Sequence, residues 1–135
     1  MRGILADINV VAHVQILVRI CNSDYWRELW ADLGLDVEDF PGLGLDDAES
    51  DAVIWKQCQQ EKLVLITGNR NRHGPESLQA VIEAENRADS LPVITIADMD
   101  RVLRDRTYAE LAAESLLGKL IAIDSFCGTG RVYIP

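Results

Sequence analysis

Short apolar runs alternate with helix-length amphipathic stretches along this chain, and that alternation constrains the fold more than any other feature. The runs Gly3-Ile4-Leu5-Ala6, Leu63-Val64-Leu65-Ile66 and Val93-Ile94-Thr95-Ile96 read as short buried strands. Strands separated by helices pair in parallel through right-handed crossovers. The expected fold is an α/β three-layer α/β/α sandwich around a central parallel sheet of about five strands. The chain has 135 residues, which suits a single domain over 1–135 with a core that needs no staples.

The elements follow in order. After the strand at 3–6, a helical pattern starts at Asn9 with Val10, Val11, Val14, Leu17 and Val18 on one side, and it falters near Cys21. Ser23 is a suitable N-cap for a second helix containing Trp26, Leu29, Trp30 and Leu33, which Gly34 ends. Leu35 to Phe40 is a weak strand, and Pro41 to Gly44 a loop. Asp46 with Glu49 forms a capping box, opening a helix that turns Val53, Ile54 and Cys58 inward and ends near Glu61. Residues 62–67 give the clearest strand. After a polar turn, Gly74-Pro75 leads into a helix with Leu78, Val81 and Ile82 inward. Residues 92–97 form a fourth strand. Thr107 and Glu110 make another capping box for a helix through Leu111, Leu116 and Leu120, and Gly128-Thr129-Gly130 turns into a last strand, Arg131 to Ile134. Placing the first and third strands side by side brings Asp7 next to the 69–71 turn.

Composition narrows the function. The formal charge is −9, and nucleic-acid affinity rests largely on Lys and Arg neutralising phosphates. A general polyanion-binding module is therefore excluded unless metal ions or a local Arg cluster reverse the sign. No apolar run approaches the ~20 residues that span a bilayer, and the N-terminus lacks a signal-peptide layout. The expectation is a cytoplasmic protein with no membrane partner. Cys21, Cys58 and Cys127 lack CxxC spacing and read as reduced, mostly buried thiols.

The chemistry-bearing residues follow the apolar runs. Asp7 closes the first; Asp46, Asp47 and Asp51 open the mid-chain helix; Thr67-Gly68-Asn69-Arg70-Asn71 follows the third strand; Asp98 and Asp100 follow the fourth. In a parallel sheet all of these gather at the carboxyl edge, where open α/β sheets place their sites. Oxygen ligands clustered without His or Cys suit Mg²⁺ or Mn²⁺. Each residue also has a plainer reading. Asp7 and Asp46 could be helix caps, Asp47 and Asp51 first-turn acids favoured by the helix dipole, and Asp98 the cap of a helix beginning near Met99. Asn69 and Asn71 suit turns. Arg70 and Arg72 suit phosphate or carboxylate, an internal salt bridge with Asp7 or Asp51 included, and His73 suits a solvated loop. A phosphoacceptor receiver domain is excluded by Asn69, which stands where a phosphorylatable Asp is needed. The isolated Gly42-Leu43-Gly44 and Gly128-Thr129-Gly130 exclude a P-loop or dinucleotide enzyme.

An apolar strand ending in Asp7, an acid at Asp51 entering a helix, and a strand running into Thr67-x-Asn69 resemble the PIN domain and its PIN-like relatives. The stretch from Leu65 to Leu78 and the closing Gly130-Arg131-Val132-Tyr133-Ile134-Pro135 are similar to an uncharacterised bacterial PIN-like subgroup. The resemblance covers most of the chain in family order, through short motifs. It implies an α/β/α sandwich and a metal-dependent ribonuclease, many such proteins being toxins of bacterial toxin–antitoxin pairs. Carried over, Asp7 and Asp51 are catalytic and hold Mg²⁺ or Mn²⁺, with Asp47 and Asp98 as further metal candidates. Asn69 positions metal or substrate, while Arg70, Arg72 and Asn71 contact RNA. Asn69 departs from the family's Asp, and a further acid on an early helix has only Glu28 or Asp24 as a candidate. The resemblance also implies a homodimer and an antitoxin-like protein partner; the three Trp residues lie at helical core positions and read as structural, with Trp26 and Trp30 the first to test at a dimer interface. A catalytically inactive PIN-like domain acting as an interaction or regulatory module is the competing expectation.

Overall fold

The computed structural model describes residues 1–69, 74 and 76–135. Five strands, β1 (Gly3–Ala6), β2 (Asp36–Glu38), β3 (Leu63–Thr67), β4 (Val93–Ile96) and β5 (Arg131–Ile134), form one sheet in the order β2-β1-β3-β4-β5. Every neighbouring pair is parallel, and β1 lies beside β3 with Ala6 opposite Ile66. The chain is the expected three-layer sandwich. Its helices are α1 (Val11–Cys21), α2 (Arg27–Leu33), α3 (Phe40–Leu43), α4 (Asp51–Glu61), α5 (Leu78–Glu85), α6 (Met99–Arg104) and α7 (Arg106–Ile121).

Side chains alternate across a strand, so the sheet buries two separate cores. Ile4, Ala6, Val64, Ile66, Ile94, Ile96 and Ile134 pack on α1, α6 and α7, the last contributing Ala112, Ala113, Leu116 and Leu120. Leu5, Leu63, Leu65 and Val93 face the other way, against Phe40, Ile54, Trp55, Cys58, Leu78, Val81 and Ile82 of α3, α4 and α5. The apolar runs have no polar alternation because both faces are covered. Thr67 and Thr95 stand opposite each other near the carboxyl edge and are fully buried.

Several local expectations change. The helix at α4 starts later than the Asp46 box predicts: Ser50 is the cap, its Oγ accepting from the Val53 N–H (3.2 Å), while Asp46 closes a turn through the Ala48 N–H (2.9 Å). That shift turns Trp55 inward and leaves Val53 exposed. Likewise Asp105, not Thr107, caps α7 through the Tyr108 N–H (3.2 Å), and Leu111 points to solvent. Pro41 to Gly44 is not a loop throughout; Asp39 caps the single turn of α3 by accepting from Gly42 N–H (2.9 Å). Ser23 supports the approach to α2 with its carbonyl rather than its hydroxyl. Trp30 lies in the core, as its helical position implies, and so does not face a dimer interface; Trp26 is partly buried with Tyr25 edge-on against it. The thiols of Cys21 and Cys58 are buried, and burial raises them to about 11 and about 12 respectively. Among the described residues, no helix is long and apolar enough to cross a membrane.

Candidate functional site at the carboxyl edge

Asp7 is the first residue past β1. Its N–H donates to the Ile66 carbonyl (2.9 Å), which extends the β1–β3 ladder by one bond and fixes its backbone. One carboxylate oxygen accepts from the Ile8 N–H (2.8 Å), capping the 3-10 turn Ile8–Val10 that leads into α1. The other accepts from the Thr67 hydroxyl (2.6 Å). Asp7 therefore fills the plain cap role and the edge role together. A carboxylate offers roughly four lone-pair sites, so two hydrogen bonds leave it able to bind further.

Thr67 ends β3 on the α4–α5 side, and its hydroxyl is used twice. It donates to Asp7 and accepts the Asn69 N–H (2.9 Å). Asn69 in turn donates from its amide to Asp51 (3.4 Å), a long bond. Asp51 is the first residue of α4, and α4 runs antiparallel to the strands, so its N-terminus opens onto this same edge. Asp7, Thr67, Asn69 and Asp51 thus form one connected chain of polar groups drawn from three elements.

The Asp51 carboxyl is held above its ordinary value, first by desolvation and then by the charge of Asp7; the Asn69 amide, a Leu78 backbone bond and the charge of Arg131 act in the opposite direction. A negative charge nearby raises the Asp51 carboxyl's affinity for a proton, or for another cation.

Arg131 completes the site from β5. Its Nη1 donates to the Asn69 carbonyl (2.7 Å) and to the Thr95 hydroxyl (2.6 Å), and its Nε donates to Gln79 on α5 (3.1 Å). Sequence reasoning assigned no role to Arg131, Thr95 or Gln79. The available signal was an arginine opening a strand in a sheet covered on both faces, at a position that demands polar company.

Other candidates fall elsewhere. Asp47 is exposed in the turn before α4, with no described bond to Asp7 or Asp51. Asp98 caps α6 through the Arg101 N–H (3.1 Å), the plainer of its two readings. Asp24 pairs with Arg27, and Glu28 is exposed on α2; no described contact joins either to Asp7. Arg70, Asn71, Arg72 and His73 lie outside the described residues, as does Pro75. Among the described residues, no group of three or more His, Cys, Asp or Glu side chains is placed to hold a metal ion. The donor set at the edge is two carboxylates plus an amide. That set fits Mg²⁺, which is commonly held by one or two carboxylates and keeps several waters. Compared with protein-family models, curated proteins and solved structures, the chain matches none of them.

Proposed function

We propose that this chain is a PIN-like, Mg²⁺- or Mn²⁺-dependent ribonuclease that hydrolyses phosphodiester bonds at the carboxyl edge of its sheet. The observation that carries the reading is the convergence of Asp7 and Asp51, which are far apart in sequence and linked through Thr67 and Asn69. Asp7 and Asp51 would hold the metal, with Asn69 orienting Asp51 and offering its amide to metal or substrate. When bound, the metal lowers the pKa of a water and offsets charge on the phosphoryl oxygens. It also supplies positive potential that a protein of charge −9 otherwise has little of. An antitoxin-like partner, a homodimer and a cytoplasmic setting belong to the same proposal.

A second reading has its own observation. Asn69 is neutral and already bonded to Asp51, and no third acid among the described residues joins the pair. That arrangement suits a catalytically quiet interaction module. Incubating structured and single-stranded RNA with the protein in Mn²⁺, Mg²⁺ or EDTA separates the two. Metal-dependent cleavage lost in Asp7→Asn and in Asp51→Asn supports the nuclease; wild-type protein that cleaves no RNA in either metal supports the quiet module.

A further inference from the structure

Asn69 lies two residues past the end of β3, and each of its described hydrogen bonds runs to a side chain. Thr67 takes its N–H, Asp51 takes its amide, and Arg131 holds its carbonyl at 2.7 Å. Gly68, between Thr67 and Asn69, lies against the Met99 thioether of α6 and leaves no room for a Cβ. Met99 thus blocks the backbone at Gly68, and Arg131 ties it one residue later.

Arg131 reaches that carbonyl from the edge strand of the sheet. It stands in register with Val93, yet its Nη1 donates to Thr95 (2.6 Å), so the side chain runs along the strands toward the carboxyl edge. Thr95 is a firm anchor, fully buried and opposite Thr67. Nε meanwhile holds Gln79 of α5 (3.1 Å). Two nitrogens of one planar group therefore hold three partners, from β4, from α5 and from the segment after β3. A lysine ammonium, a point charge on a flexible stem, does not reproduce that fork.

The Asn69–Asp51 bond is long, at 3.4 Å. A further shift of ~0.2 Å takes it out of hydrogen-bonding range, so the pair depends on how firmly the Asn69 backbone is held. Charge works the other way. The positive charge of Arg131 acts on Asp51, and by Coulomb's law it opposes any second cation there. Whatever Arg131 adds to cation binding at this edge must come from geometry.

We propose that Arg131 is the positioning residue of the carboxyl edge: its fork fixes Asn69, and through Asn69 it sets the grip of the Asp7–Asp51 pair on a divalent cation. The inference rests on the metal-dependent reading for its ligand. Groups that orient metal ligands from outside commonly change metal affinity 10- to 100-fold when they are replaced.

The test pairs calorimetric titration of Mn²⁺ with hydrogen exchange of the Asn69 N–H in metal-free protein. Arg131→Lys keeps the charge and loses the fork, and it is expected to bind Mn²⁺ about tenfold more weakly and to lose Asn69 protection. Gln79→Ala removes only the Nε anchor; it keeps the test open if Arg131→Lys does not fold, and is expected to move both readouts the same way by less. A guanidinium acting by charge alone would leave Arg131→Lys like wild type and make Arg131→Met the tighter binder, and that pattern overturns the proposal. A role in stability alone would lower the melting temperature of Arg131→Lys and leave Mn²⁺ affinity and Asn69 exchange unmoved, which overturns it too. Loss of Asn69 protection in variants of a protein that binds no Mn²⁺ supports the hold on Asn69 and removes the metal site. Saturable Mn²⁺ binding unmoved by either Arg131→Lys or Gln79→Ala overturns the positioning role and keeps the metal site.

Discussion

Asn69 links both acids of the carboxyl edge, bonding Asp51 through its own amide and reaching Asp7 only by way of the Thr67 hydroxyl. A neutral residue in that place softens the repulsion between two carboxylates without removing it, and Asp51 remains above its ordinary value. The sign of the stability effect follows. The folded protein holds the Asp51 proton more tightly than the unfolded chain does, so stability falls as pH rises through the raised value, and the ionised group is a cost at pH 7. Metal-free Asp51→Asn is therefore expected to melt a few degrees above wild type at pH 7 in calorimetry, with the gap closing as the pH drops below the carboxylate range. Equal melting temperatures at pH 7 would mean that ionised Asp51 carries no cost from burial or from the charge of Asp7. Asp7 and Asp51 were legible as edge residues because each directly follows or opens a clear element. Arg131 was not, since its partners Thr95, Gln79 and Asn69 come from three other segments and no spacing in the chain announces them.

Strand β1 is the element that everything at the site hangs from, as it pairs with both β2 and β3 and delivers Asp7. Gly3 permits the first of those pairings, because a Cβ there would run into the Asp36 carbonyl of β2. Overpacking of this kind costs about 1–3 kcal/mol, and Gly3→Ala is expected to lower stability by that much in urea unfolding; an unchanged midpoint would show that β2 shifts aside freely. Strands and helices were readable from their apolar patterns, whereas the adjacency of β1 and β3 followed from the polar residues at their carboxyl ends, which put Asp7 beside the segment after β3. Cap positions were readable at α6, where Asp98 caps, and after α2, where Gly34 ends the helix, but not at α4 and α7. Asp46 and Asp105 each lie near a residue able to cap, and the choice between Asp46 and Ser50, or between Asp105 and Thr107, depends on which helix face must meet the sheet. Burial of Trp55 and Tyr108 decided it in favour of Ser50 and Asp105.

Across the whole molecule, the two cores differ in what they tolerate. The α1–α6–α7 side buries His13, whose ring nitrogens have no hydrogen-bond partner among the described residues, and burial lowers its pKa below 6.5 although a Met99 backbone contact and Asp100 act against that. The unfolded chain binds the proton more readily, so stability is lost as pH falls from about 6.5 toward the lowered value. Urea unfolding between pH 7 and pH 5 should show that slope in wild type and a shallower one in His13→Leu; identical slopes would mean that His13 charges without cost. On the opposite side, α4 and α5 turn their N-termini to the carboxyl edge, and the account stands on what that edge binds. Calorimetric titration of Mn²⁺ into wild type and Asp7→Asn tests it most directly. Saturable binding in wild type that disappears in Asp7→Asn is the predicted result; no binding in wild type even at millimolar Mn²⁺ would contradict the metal-dependent site.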